Sequence, residues 1–283
     1  MHSRRLGTRD VSAVGLGAMP MSTATRPPRA QAIRTIHAAL DAGVTLIDTA
    51  DAYCLDAGEM GHNERLVAEA LRAWPGDAAD VVVATKGGHT RGADGSWGLD
   101  GSPEHLRRAC EASLTALGVD AIGLYQFHRP DPAVPVAESV GALAGLQRDG
   151  KVQMIGVSNF SVDQIAQALE ITDIVSVQNE FSPAFRSSEP EIDVCEQRRV
   201  AFLAWSPLGG MGAAAALHDR HPAVAEVAAE CGVSPQRVAL AWELARSPAV
   251  IPIPGASRPE TILDSLHAAD LALTDDQLRR LSA

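Results

Sequence analysis

Four side chains in this sequence matter as much for where they fall as for what they are. Lys86 ends the apolar run Val81-Val82-Val83-Ala84-Thr85, and Asp48 ends Val44-Thr45-Leu46-Ile47 with Tyr53 five residues further on. His128 follows Ile122-Gly123-Leu124-Tyr125-Gln126-Phe127. Runs this apolar suit parallel strands buried on both faces, whose rim has no packing use for an ammonium. The chain contains only two lysines and two tyrosines, so neither Lys86 nor Tyr53 is background from a common residue type. A free phenol, with a pKa near ~10, is a poor acid at neutral pH. An ammonium within about 4–6 Å stabilises the phenolate and lowers that pKa. A carboxylate beside the ammonium keeps it charged and in place, and an imidazole hydrogen-bonds a carbonyl or shares in proton delivery. Each residue also has a plain structural use: a turn cap for Asp48, a satisfied buried hydroxyl for Tyr53, a turn before Arg129-Pro130-Asp131-Pro132 for His128. Their coincidence at successive strand ends makes a proton-transfer site the sharper reading.

The elements that must position them alternate along the chain. The apolar patterns predict strands over 11–19, 44–48, 81–85, 121–127, 152–157, 174–178, 201–205 and 250–253. Helical periodicity predicts helices over 29–42, 64–73, 103–117, 136–148, 162–169, 190–198, 223–231, 235–245, 259–268 and 274–281, with Asn63 and Ser102 as N-caps of the second and third. Strand–helix alternation implies a parallel sheet. A doubly wound sheet normally carries GxGxxG after its first strand, and Gly15-Leu16-Gly17-Ala18-Met19-Pro20 breaks that pattern at its last glycine. Eight units in this length match an α/β fold of the (β/α)8 TIM barrel type, one domain over 1–283, with its loops and chemistry on the C-terminal face.

Bulk properties narrow the partners. The 283 residues carry a formal net charge of −11, which argues against a nucleic-acid surface. Cys54, Cys110, Cys195 and Cys231 show no CxxC pair or His at ligand spacing, so neither zinc nor a disulfide framework is expected, and no other metal. The N-terminus lacks the apolar stretch of a signal peptide and no run reaches the length of a membrane span. The expectation is a cytoplasmic protein acting on a small molecule, with no membrane or nucleic-acid partner.

The segments Leu46-Ile-Asp48-Thr-Ala-Asp-Ala-Tyr53, Ala84-Thr-Lys86, Leu124-Tyr-Gln-Phe-His128-Arg-Pro-Asp131, Gly156-Val-Ser-Asn-Phe160, Gln178-Asn179 and Trp205-Ser-Pro-Leu-Gly209 resemble the aldo-keto reductase family. The resemblance runs in order from about residue 5 to residue 270. It implies Tyr53 as general acid, Lys86 and Asp48 as its tuning pair, and His128 as the residue orienting a carbonyl. It also implies an extended nicotinamide nucleotide, NADP(H) before NAD(H), and a small-molecule carbonyl substrate. Ser158, Asn159 and Gln178 then hold the carboxamide, and Trp205 supports the nicotinamide ring where many members have tyrosine.

Ser206-Pro207-Leu208-Gly209-Gly210-Met211-Gly212 offers backbone N–H groups suited to a pyrophosphate. The stretch Gly255-Ala256-Ser257-Arg258 opens a helix, where the dipole favours a phosphate and Arg258 is the local cation. Gly255 and Thr261 stand where many members carry Lys and Arg, and Ser265 where many have Asn, which weakens the expected NADPH preference. Cys54 and Trp97 are the candidates for the substrate pocket. Two other classes stay open at this level: a nucleotide-sensing regulatory protein of the same fold, and a Schiff-base aldolase or isomerase with Lys86 as nucleophile.

Overall fold

The computed structural model describes residues 2–210, 212 and 214–283. Eight parallel strands run in sequence order around one sheet: β1 (Leu16–Gly17), β2 (Leu46–Asp48), β3 (Val82–Gly87), β4 (Ile122–Phe127), β5 (Val152–Ser158), β6 (Ile174–Glu180), β7 (Ala201–Trp205) and β8 (Val250–Pro252). The sheet closes on itself after β8. Gly15 N–H donates to Pro252 O at 2.9 Å, Gly17 N–H donates to Pro254 O at 3.0 Å, and Gly17 bridges Gly255 in parallel. Helices α1 (Arg29–Asp41), α2 (His62–Ala73), α3 (Pro103–Leu117), α4 (Val136–Arg148), α5 (Val162–Ile171) and α6 (Glu189–Arg198) follow β1 to β6 in turn. After β7 come α7 (Leu217–Arg220), α8 (Pro222–Cys231) and α9 (Pro235–Arg246), and after β8 come α10 (Pro259–Leu266) and α11 (Asp275–Leu281). This is the expected (β/α)8 barrel. None of the helices among the described residues is long and apolar enough to cross a membrane.

Side chains alternate across each strand, and the two parities do different work. Leu46, Val82, Ala84, Leu124, Met154, Ala201, Leu203 and Ile251 fill the lower barrel interior in one apolar cluster. Ile47 and Val83 face α1 and α2, while Tyr125, Phe127, Ile155, Val157, Val177, Phe202 and Ala204 join the larger cluster under the remaining helices. Most strands are therefore apolar on both faces in their lower part, which is why the sequence reads as near-continuous apolar runs. Counting on by two from the interior residues reaches Asp48, Lys86, Gln126, His128, Ser158, Gln178 and Trp205. The inward parity turns polar at the C-terminal end of the strands.

Two expectations need correction. Residues 11–19 do not form one strand. Ser3–Leu6 and Arg9–Ser12 pair as an antiparallel hairpin, and Leu6 and Val11 join the interior cluster, so the hairpin plugs the lower end of the barrel. Only Leu16–Gly17 is left to pair in the barrel. Asn63 does not cap α2. Its side chain is buried, accepting from Thr49 Oγ1 at 2.6 Å and donating to Ala18 O at 2.9 Å and Ser22 Oγ at 2.7 Å, while Gly61 in the left-handed region starts the helix. Between β3 and α3 the chain carries a second hairpin, His89–Arg91 against Trp97–Leu99. Ser102 does cap α3, accepting from His105 N–H at 3.2 Å.

Closure depends on the missing side chain at Gly17, where an added Cβ would lie 2.7 Å from Ile253 O. Backbone on both sides cannot yield cheaply, so Gly17→Ala should cost about 1–3 kcal/mol and lower the thermal midpoint by at least about 2 °C. An unchanged midpoint in a melting curve would show that the seam does not need this close approach.

Candidate active site

The ends of β2 and β3 bring three expected residues into one hydrogen-bonded group. Lys86, fully buried, donates from Nζ to Asp48 Oδ1 at 2.6 Å, to Thr49 O at 2.9 Å and to the Tyr53 hydroxyl oxygen at 3.1 Å. Three ammonium hydrogens thus meet three acceptors. Because the Tyr53 oxygen accepts from Lys86, its own proton remains available to another partner. Nζ also lies 4.9 Å from the Tyr53 ring centroid. Asp48 is held on its other side, where Oδ2 accepts from Gln178 Nε2 at 2.7 Å and from Gln126 Nε2 at 3.4 Å. Gln126 is in turn fixed by Ser176 Oγ, which donates to its Oε1 at 3.2 Å. His128 completes the set from β4, its ring edge-on to Tyr53 at 5.7 Å between centroids.

Burial sets the protonation states. It pushes the Tyr53 phenol above its ordinary value of 10.0, against the opposing pull of the Lys86 ammonium. The expectation that the lysine lowers this pKa holds only relative to burial alone; the net direction is upward, which keeps Tyr53 protonated. Burial also disfavours the Lys86 charge, but Asp48 and Tyr53 together outweigh it and hold Lys86 above the usual lysine range. His128 goes the other way: burial and then the Lys86 charge hold it well below 6.5, so it is neutral. Its Nδ1 is buried without a partner among the described residues, leaving Nε2 as the nitrogen the cavity can reach. A charged, enclosed and fully hydrogen-bonded Lys86 is a poor nucleophile, which removes the support for a Schiff-base enzyme.

One cavity of about 440 Å³ adjoins these residues and extends towards the ends of β7 and β8. Ser158, Asn159, Gln178, Trp205, Ser206, Pro207, Leu208, Gly210 and Gly255 line it, as do Asp48, Tyr53, His128 and Trp97. Asn159, with φ 60°, donates from Nδ2 to His128 O and to Ser158 Oγ, both at 3.0 Å, while its Oδ1 accepts from Arg129 at 3.0 Å. Ser158 Oγ donates to Gln178 O at 2.7 Å. Gln178 spends its amide N–H on Asp48 and keeps Oε1 without a protein partner among the described residues. That acceptor, with the second lone pair of Asn159 Oδ1, suits the NH₂ of a carboxamide.

Other expected residues stand outside the cavity wall. Cys54 is fully buried behind Tyr53, its thiol directed to Ala52 O and Asp56 O, so it is no substrate contact. Ser265 is buried on α10 and donates to Thr261 O of its own helix, so it presents no group outward. Gly209, with φ 83°, shapes the turn after β7 without lining the cavity. Ala256 is buried, Ser257 and Thr261 are half-buried, and exposed Arg258 stands at the N-cap of α10, next along the chain from the Gly255 wall. Met211 lies outside the described residues.

Sequence reasoning missed several groups. Gln126 and Ser176 sit one interior step below His128 and Gln178, so strand parity was the signal that marks them. His89, Arg129, Met19, Pro20 and Thr25 also line the cavity, from loops that carry no such periodicity. Behind the site lie two buried acids, Asp51 and Glu64, both pushed up by burial, with Glu64 Oε1 accepting from Thr85 Oγ1 at 2.5 Å.

With this geometry in hand, comparison with known proteins is informative. The family model described as "Aldo/keto reductase family" matches residues 13–283. The chain is 34% identical over 287 residues to pyridoxine 4-dehydrogenase of Escherichia coli, covering 98% of this chain and 96% of that protein. It is 32% identical over 281 residues to an uncharacterised oxidoreductase of Schizosaccharomyces pombe, covering 98% and 88%. A crystal structure of an aldo/keto reductase from Klebsiella pneumoniae in complex with NADP and acetate superposes with a TM-score of 0.82 at 28% identity, covering 99% of this chain and 93% of that one.

The protonation states make a pH prediction. With the Tyr53 phenol raised from 10.0 and the His128 imidazole held well below 6.5, a reaction that depends on their neutral forms should run at a level rate between about pH 6.5 and about pH 9. A rate profile with a step centred near pH 6.5 would show that His128 titrates in its ordinary range.

Proposed function

The chain belongs to the aldo/keto reductase family, and on that premise we propose that it reduces an aldehyde or ketone to the alcohol, using NADPH in preference to NADH. The observation that carries this is the Tyr53 oxygen, which takes a hydrogen bond from a buried ammonium while its own proton faces a cavity. A reduced nicotinamide held in this cavity would supply the hydride that the carbonyl carbon takes up. Tyr53 gives its proton to the oxygen of the forming alkoxide. As that proton leaves, the phenolate is left 3.1 Å from a fixed positive charge, already oriented and needing no rearrangement. Asp48 and Thr49 hold Lys86 in place, and the Gln126 and Gln178 amides hold Asp48. The neutral His128 offers Nε2–H to the carbonyl oxygen, since a proton on its buried and unpartnered Nδ1 would go unsatisfied.

The residues present suit the nucleotide. Gln178 Oε1 and Asn159 Oδ1 accept from the carboxamide, Trp205 supplies a flat face, and the Ser206–Gly210 turn provides backbone N–H groups for the pyrophosphate. Arg258 at the N-cap of α10 is the cation for a 2′-phosphate, with Ser257 beside it.

Tyr53→Phe removes the proton donor and should lower kcat by at least about 100-fold while nucleotide binding, read by quenching of reduced-nicotinamide fluorescence, persists. Near-normal reduction of test aldehydes by that variant would refute the assignment. Arg258→Ala should raise KM for NADPH several-fold and leave KM for NADH in place; equal KM values for both cofactors in wild type and variant would remove the preference.

A further inference from the structure

We propose that His89 selects carbonyl substrates bearing a hydroxyl one or two carbons from the carbonyl, its Nε2 accepting the hydroxyl's hydrogen bond while His128 holds the carbonyl oxygen. This rests on the reductase reading above and names the substrate class for the same cavity.

His89 opens the hairpin strand His89–Arg91, three residues after Lys86, and lines the cavity. Its Nδ1 is 3.0 Å from Gly98 O across the hairpin. A carbonyl oxygen only accepts, so Nδ1 must carry the hydrogen. Burial depresses the charged form of this ring, so it is neutral and Nε2 is a bare lone pair. Nε2 has no protein partner among the described residues. With Nδ1 turned to the hairpin, it is the polar atom that the ring offers to the cavity.

The ring cannot easily turn to another use. It packs perpendicular to His128 at 4.3 Å between centroids and edge-on to Trp97 at 5.4 Å. Trp97 is itself covered by the Arg91 guanidinium at 4.0 Å, and Arg91 is tied to Leu55 O at 2.7 Å. An acceptor fixed in a cavity wall penalises a ligand that covers it without a donor. Rings this close place the donor of His128 and the acceptor of His89 within reach of one small molecule. Oxygens on adjacent or next-adjacent carbons lie roughly 3–5 Å apart, a separation that two hydrogen bonds of about 2.9 Å can bridge.

The test compares kcat/KM for the isosteric pair glycolaldehyde and propanal, with NADPH, in the wild type and in His89→Phe. Phenylalanine keeps an aromatic ring against His128 and Trp97 and deletes the acceptor. The glycolaldehyde-to-propanal ratio should fall about tenfold in the variant; a fall of less than threefold overturns the assignment. Should the variant be inactive on both aldehydes, the wild type alone decides: glycolaldehyde must exceed methoxyacetaldehyde, which has the oxygen but no donor, by at least threefold, and parity overturns the proposal. Failure of the underlying reading looks different, because then no aldehyde, propanal included, is reduced by the wild type.

Discussion

A lysine ammonium with no exposure to water is the constraint around which the upper barrel is arranged. An isolated charge in such a place costs several kcal/mol, and removing one partner of a buried pair typically costs about 3–5 kcal/mol. Lys86 is stable there because each of its three hydrogens has an acceptor, two of them from the β2 end and one from Tyr53. That requirement fixes the path of the chain through Thr49 and the position of the phenol. Asp48 needs its own support, and the amides of Gln126 and Gln178 supply it from β4 and β6. Half of the barrel's strands are thus tied to one charge.

The same charge divides the chemistry between two neighbours. Tyr53 and Lys86 touch, so a negative charge on the phenol oxygen would meet a positive one; His128 is held neutral first by burial and then by the same ammonium. The phenol and the imidazole thus both hold their neutral forms, the first in contact with the ammonium and the second beyond it. Burial works with this arrangement by keeping the phenol protonated.

Much of this was legible in the sequence, for a reason particular to barrels. Polar groups at the inward parity of strand ends adjoin one cavity, so apolar runs terminated by Asp48, Lys86, His128 and Gln178 display the candidate site as a linear pattern. The short first strand was not legible, because Val11 carries the same apolar signal whether it lines a barrel or plugs its base. Asn63 failed as a cap for a related reason: a side chain suited to capping is equally suited to tying Thr49, Ala18 and Ser22 together, and only their proximity chose between the two. Cys54 follows Tyr53 directly, yet a turn between them sends one into the cavity and the other behind it.

The residue types and the apolar runs they terminate marked the barrel, its polar end and the grouping of Asp48, Lys86 and His128 by themselves, since these depend on local pattern and on what buried strands tolerate. Only the tertiary structure decided which hydrogen each group holds. That the Tyr53 proton is available, that its pKa lies above rather than below 10.0, and that His128 and His89 are neutral all follow from contacts between segments far apart in the chain. Protonation is set by desolvation and neighbouring charge, and neither exists until the loops have closed over the strand ends.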